Sequence, residues 1–478
     1  MRVSDGAEVF GKQLVLFSLF VFAGTSFAQQ SETKETPSFI QQQRNVDESV
    51  RRQLDDELSK STRGLFDWGG WLSSYVFEFD DGVDSSRTFR RFDLRLWGRA
   101  KLDEGTHEFY LRTRSGFVDF NTGDSYDFND DDWEGPNLER GFYRFDLAKA
   151  FRHTDHAPTD YNLIATAGRD LVQFGNGLSL SAPLDHVSLR GTYRGFQLTG
   201  LAGKTVGSSP DFDLSRTAAR SRRNVLGAQL KYTGLQRHEP FVYALWQSDH
   251  NEETAQKLFQ GFDADTFHGG LGSTGELVQN LRYASEWVIE TGHRYSRLEF
   301  HKQNNLRAWA FQNELEYLFP GLRKARASVE YLFGSGDSDR RFSPTNTLGG
   351  NPFDSRDTSF FAFGYQDTGL SFAPRYSNLH MWRAGASYHP FPEHRQLRNL
   401  ELGTDGYLFY KHHSSAAVSD PTVDRQSGYL GAEVDYYANW NMWADFAWTA
   451  RVGVFFPGDA FSDQTTRTFL LVGANWSF

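Results

Sequence analysis

The 478-residue chain contains no cysteine. That excludes a disulfide framework, a thiolate metal site and a thiol nucleophile, and it suits an oxidising compartment where stray thiols mispair. Long apolar runs are missing too. Beyond the N-terminus no stretch reaches the ~20 apolar residues that a membrane-crossing helix needs, and mean hydropathy is −0.57. Positive charge is not in excess. Fifty Lys and Arg against 61 Asp and Glu leave −11 at pH 7, so bulk charge offers nothing to a nucleic-acid partner. No Gly-x-Ser-x-Gly elbow, phosphate loop or metal-ligand helix stands in a fitting context, so no catalytic residue and no cofactor is assigned and the chain reads as something other than an enzyme.

What the chain does have is aromatic residues and glycine: 43 Phe, 20 Tyr, 12 Trp and 44 Gly. That mixture suits many strands, tight turns and aromatic girdles. The first 28 residues have the layout of a signal peptide. Lys12 precedes the apolar run LVLFSLFVFAG, and Ser26 and Ala28 occupy the small positions of a cleavage site. Asp5 and Glu8 make the leading segment less basic than usual. Residues 29–64 read as a polar periplasmic arm, helical in part, where Val46, Val50, Leu54 and Leu58 recur four apart.

From Leu65 the helical period gives way to alternation. In RFDLRLWGRAKL, Arg91, Asp93, Arg95, Trp97, Arg99 and Lys101 share one parity, and Phe92, Leu94, Leu96, Gly98, Ala100 and Leu102 the other. As a strand this segment is oily on one face and mostly positive on the other. About eighteen such segments follow in succession, 281–290, 293–302 and 306–317 among them. Connections after odd-numbered segments are mostly long (120–137, 205–222, 250–280, 336–375) and those after even-numbered ones short (103–106, 192–193, 291–292, 318–323), with 303–305 out of step. Sorting of loop length by parity is expected of an outer-membrane barrel, with short turns on one side and long loops on the other. In FLLVGANWSF, Leu470, Val472, Ala474, Trp476 and Phe478 share a face, as a lipid-facing strand needs. The expected fold is all-β: one transmembrane antiparallel barrel of about 18 strands over 65–478. Lipid forces closure, because an open edge leaves unpaired backbone groups costing several kcal/mol each.

The charged face then looks into the lumen. Parity places Arg91, Arg95 and Arg99 there, with Arg112, Arg114, Arg140, Arg144, Arg169, Arg326, Arg375 and Arg451. Acidic lumen partners are Asp93, Glu330, Glu433 and Asp435. Such arginines can stiffen the wall as ion-pair ladders, or line a path. Guanidinium forks match carboxylates, and rings of Arg or Lys select anions in pores. Trp97, Tyr110 and Trp382 are candidates for stacking on sugar rings.

Several blocks resemble the alginate-export family of bacterial outer-membrane proteins: FDLRLWGRAKL, LERGFYRFDLAKA (138–150), ATAGRDLVQFGNG (165–177), ASVEYLFGSGD (327–337), FAPRYSNLHMWRAGASY and RVGVFFPGDAFSD (451–463). The resemblance implies an eighteen-stranded barrel with an arginine-lined constriction that passes an anionic uronic-acid polymer. It implies pathway roles for Arg95, Arg140, Arg169, Arg375 and Arg451. The segment 172–190 departs from it, being apolar where charge is expected; this leaves Asp185 an unsettled match.

Two other features stand out. The acidic loop with Asp124, Asp127, Asp130, Asp131, Asp132 and Glu134 offers oxygens to Ca2+, though without EF-hand spacing, and fits better as a solvated loop facing lipopolysaccharide. The long loop 336–375 carries Phe360, Phe361, Phe363 and Tyr365 and is expected to fold into or over the pore as a gate. The reading that follows is an outer-membrane channel for an anionic, alginate-like polysaccharide, working in export. Its partners are outer-membrane lipid, lipopolysaccharide, the polymer and periplasmic polysaccharide-secretion proteins. The alternative is a general or small-anion uptake porin.

Overall fold

The computed structural model describes residues 66–82, 86–122, 124, 131–151, 160–207, 209, 221–250, 264–295, 302–321, 323–340, 351–352 and 354–478. The signal peptide and the polar arm lie outside the described residues.

Eighteen strands follow in chain order: β1 (Phe66–Asp80), β2 (Arg87–Leu102), β3 (His107–Phe120), β4 (Asp132–Asp146), β5 (Tyr161–Phe174), β6 (Leu180–Tyr193), β7 (Phe196–Thr205), β8 (Arg223–Tyr232) and β9 (His238–Asp249). Then come β10 (Thr266–Val278), β11 (Leu281–Tyr295), β12 (Lys302–Leu318), β13 (Arg326–Gly334), β14 (Leu379–Tyr388), β15 (Leu400–Lys411), β16 (Tyr429–Asn441), β17 (Phe446–Pro457) and β18 (Arg467–Ser477). Each is antiparallel to its neighbours, and β1 pairs with both β2 and β18, so the sheet closes on itself. Closure removes the two free edges that an open sheet would turn to lipid. The fold is the expected one, an antiparallel β-barrel of eighteen strands.

The partition differs at one place. The sequence reading leaves 250–280 as a loop, yet β10 lies inside it, and the expected pair 281–290 and 293–302 is mostly the single strand β11. The register shifts between Gly292 and Arg294, a bulge that Gly292 permits with φ +148°. The link at 291–292 is therefore strand interior, and the true turn is at 279–280. With that change the odd link 303–305 disappears, and β11–β12 connects on the long-loop side through 296–301. Exceptions remain on both sides: 147–160 is long among the short turns, and 175–179 is short among the long loops.

Alternation follows the sequence closely in β2. Arg91, Asp93 and Arg95 are buried, while Phe92, Leu94 and Leu96 between them are exposed on the outer surface. Short turns mark the periplasmic side and long loops the outer side. In the outer half of the lumen an apolar cluster gathers Leu178, Leu180, Leu184, Phe241 and Leu245 from the wall with Phe360, Phe361, Phe363 and Phe372 from the β13–β14 loop. That explains why 174–184 lacks inward charge: its inward side chains meet this loop rather than water, and inward charge returns only at Arg190.

The lumen as candidate functional site

The guanidinium groups of β2, β3 and β4 form a connected ladder on one wall. Arg91 Nε lies 3.1 Å from Asp93 Oδ2, and Arg114 Nε 2.8 Å from Asp93 Oδ1. Arg95 Nε and Arg112 Nε lie 3.0 and 2.6 Å from the two oxygens of Glu139. Arg140 pairs with Asp170, Arg144 with Glu108 (3.2 Å) and Arg99 with Asp67 (3.2 Å). Trp71 packs beneath Arg95 and Arg112, 5.9 and 5.4 Å from its ring. Arg95 is only 4% exposed. These inner members are wall structure first, with their charge spread over paired carboxylates.

Two other inward arginines are in a different state. Arg451 on β17 stands opposite Tyr437, and Arg190 on β6 opposite Thr199. Neither takes part in an ion pair among the described residues. Arg190 is also close enough to Arg144 for their charges to repel. Arg144 keeps Glu108 at 3.2 Å, so of these two cations Arg190 is the less compensated, and an anion is favoured beside it.

In an eighteen-membered ring, β12 and β13 stand opposite β3 and β4. The inward faces there are acidic: Glu314 and Glu316 on β12, Glu330 on β13, Glu401 and Asp405 on β15, and Glu433 and Asp435 on β16. Arg383 on β14 is the hub among them, 2.9 Å from Glu330, 3.1 Å from Glu314 and 3.5 Å from Asp367. Cations and carboxylates thus face each other across the lumen.

The β13–β14 loop crosses this space. Its backbone adds bridges to the wall, Phe363 beside Leu180 and Asp357 beside Leu306. Buried carboxylates grip its amides. Glu290 accepts from Phe361 N (2.8 Å), and Glu433 accepts from Leu370 N, Ser371 N and Phe372 N (2.6, 2.6 and 2.9 Å). Gly369, at φ +98°, lets the chain come this near; a Cβ there would meet Glu433 Oε1 at 2.8 Å. His268 Nε2 is 2.9 Å from Phe361 O, and Tyr376 donates to Leu178 O at 2.8 Å. Asp357 is clamped by Arg340 (2.6 Å) and Arg294 (3.4 Å). Burial pushes its carboxyl up, but the guanidinium groups of Arg340 and Arg294 more than offset this and hold it below the usual carboxylate range.

The expected site residues fall as follows. Arg91, Arg95, Arg99, Arg140, Arg144 and Arg451 are on inward faces. Phe360, Phe361 and Phe363 are buried inside the barrel, and Tyr365 N bonds Gly177 O at 3.0 Å. Arg375 is on the inserted loop, where its N–H meets Ser419 Oγ at 2.9 Å. Glu330 partners Arg383. Glu433 and Asp435, expected to partner arginines, make no ion pair among the described residues; Glu433 holds the loop instead. Arg169 and Trp382 are placed differently from the expectation. Arg169 shares the face of Leu163, Ala165 and Ala167 and pairs across to Gly141 and Asp185, so it points out of the barrel, 2.7 Å from Asp185 Oδ1. Its neighbour Asp170 takes the inward place. Trp382 is 43% exposed beside Leu408 on the lipid face, whereas Trp97 and Tyr110 do stack inside at 6.4 Å. Of the acidic loop, Asp127 and Asp130 lie outside the described residues, while Asp124 and Asp131 accept backbone N–H groups of Thr88 and Phe120. Arg190, Arg383, Glu286 and Glu290 are lumen residues that the sequence reading passes over.

A family model described as alginate export matches residues 123–475. Solved structures of similar fold include Pseudomonas aeruginosa OccK5 (OpdH), at 11% identity and TM-score 0.50, covering 86% of this chain and 98% of that one. OccK8 (OprE) of the same organism gives 10% identity, TM-score 0.50, and 87% and 99% coverage. The outer membrane protein OprD from Pseudomonas aeruginosa gives 10%, 0.50, and 88% and 95%. At such identities the likeness is one of fold. No curated protein matches the chain in sequence.

Proposed function

Since this chain belongs to the alginate export family and is a Gram-negative outer-membrane channel, we propose that it passes an anionic, alginate-like polysaccharide outward through its arginine-lined lumen. The observation that carries this reading is the sequence of guanidinium groups along β2–β4, β6 and β17, with Arg190 and Arg451 least neutralised. A polyuronate carries a carboxylate on every sugar, and forked donors repeated along the path lower its barrier. Acids nearby keep each contact weak enough for release. Periplasmic polysaccharide-secretion proteins would deliver the polymer, with the residue 29–64 arm on that side of the membrane.

One observation favours the runner-up, small-anion uptake. The inserted loop occupies the outer half of the lumen and is held from several strands, which suits small solutes unless the loop moves. Planar-bilayer recording separates the two. Block of conductance by polyuronate fragments, with neutral glycans of equal length inert, supports the polymer; free passage of small carboxylates without block by polyuronates supports the alternative. The same wall argues for anion selectivity under either reading.

A further inference from the structure

The β4–β5 seam stops early. Its hydrogen bonding covers Gly141–Asp146 against Ile164–Arg169. Yet β4 continues to Asp132, still paired with β3, and β5 to Phe174, still paired with β6. The wall therefore forks above Arg169. Where β6 and β12 outrun a neighbour, the inserted loop supplies the partner, as Phe363 does for Leu180 and Asp357 for Leu306. At the fork, side chains do so. Arg140 Nε donates to Asp170 Oδ1 at 2.7 Å, the same oxygen accepts Leu171 N at 2.7 Å, and Arg169 Nη1 donates to Leu138 O at 2.9 Å. Backbone groups in a wall must be paired; here the pairing is by salt bridge and guanidinium rather than by ladder, and it can open without unravelling a strand.

The level of the fork matters. Tyr161 and Tyr193, both exposed, mark the periplasmic belt of β5 and β6. Arg169 stands eight positions along β5 from Tyr161, roughly 20 Å higher for a strand tilted ~40° at ~3.3 Å per residue, so the fork begins near the top of a ~25 Å apolar band. Leu138 and Trp133 flank it outside, both exposed. Immediately inside are Arg140, Arg112 and Arg95.

We propose that the outer fork between β4 and β5 is a lateral portal joining the arginine ladder to the outer leaflet, and that it takes an anionic amphiphile: an acyl-anchored molecule whose carboxylate or phosphate headgroup reaches the guanidinium groups while its chain stays against Leu138. The idea depends on the channel reading above only for the sign of the headgroup. The absence of cysteine makes the test clean. Asn137→Cys places a thiol on the inward side of the fork, opposite Arg114, and Thr199→Cys places one inside a fully laddered stretch of β7. Each full-length variant, in phospholipid vesicles, is treated with an acyl-chain maleimide bearing a carboxylate headgroup, and separately with a sulfonated water-soluble maleimide. The acyl reagent is expected to modify Asn137→Cys at least tenfold faster than Thr199→Cys, and several-fold faster again when Asp170→Asn is added, which breaks the Arg140–Asp170 bridge and keeps the guanidinium, with the soluble reagent showing no such preference. Equal rates of acyl labelling at the two positions, or no acceleration by Asp170→Asn, overturn the portal. Should either variant fail to fold, hydrogen exchange of the unaltered chain in vesicles decides: exchange of 134–140 and 170–174 at least tenfold faster than of 141–146 and 164–169 supports the fork, and equal protection removes it. Anion selectivity, measured separately, tests the channel reading and is indifferent to these outcomes.

Discussion

Glu433→Gln is the sharpest test of how the lumen is closed. In the folded loop Oε1 accepts Leu370 N and Ser371 N, and Oε2 accepts Phe372 N. An amide keeps one oxygen. Oriented to serve the first two donors, it turns its NH2 on Phe372 N–H, so two donors face each other. A hydrogen bond to a charged group contributes about 1.5–3 kcal/mol net of desolvation, and a neutral one about half that. Losing one bond and weakening two costs the closed segment around residues 367–373 about 3–6 kcal/mol. At about 1.4 kcal/mol per decade, the open population of that segment rises by two to four orders of magnitude. Phe361 is still held by Glu290, so the expected single-channel trace shows brief steps to one higher sub-level, and Glu290→Gln/Glu433→Gln shows larger and longer ones. Thermal unfolding should change little, because the ladders are intact. A variant with conductance, noise and stability like the parent's would refute the anchoring role.

Arg451→Glu is expected to reduce anion selectivity, read from the reversal potential in a salt gradient, while leaving the folded yield unchanged. Arg95→Glu should behave differently: it sets a third buried carboxylate beside Glu139 and Asp93, at a cost of about 3–5 kcal/mol, visible as loss of heat-modifiable folded barrel on gels. Asp357→Asn leaves Arg294 and Arg340 without their shared carboxylate, and larger, noisier currents are expected. Acid should mimic it only late. A carboxyl held below its ordinary range contributes stability that is complete above about pH 4 and is lost as pH falls through the lower folded value. In the Glu290→Gln/Glu433→Gln background, where the other two loop anchors no longer titrate, conductance should therefore be constant from pH 7 to about 4 and rise below that; a rise near pH 6 there would contradict the clamp.

The barrel was legible because its outer face must be apolar and its inner face wet, and β2 writes that rule out residue by residue. β10 was not, since Gly269, Gly270, Gly272 and Gly275 carry no polarity contrast, and the inward glycines serve to receive the rings of Tyr243 and Phe241 from β9. Arg169 sits beside Asp170, and either could take the inward place; Leu163, Ala165 and Ala167 on the arginine's parity are the signal that decides it. The same alternation would have found Arg383 beside the lipid-facing Trp382. The grip of Glu290 and Glu433 on a distant loop leaves no local trace, because both ends of each bond are ordinary strand and loop residues until the barrel brings them together.

A bore whose two halves carry opposite fixed charge has consequences that its net charge hides. Ions of either sign find a congenial side, so cations can travel along Glu314, Asp405 and their neighbours in the same direction as carboxylates passing β2–β4. Under the polymer reading proposed above, passage of a heavily charged thread need not separate charge, since its counter-ions accompany it through the same conduit in their own lane.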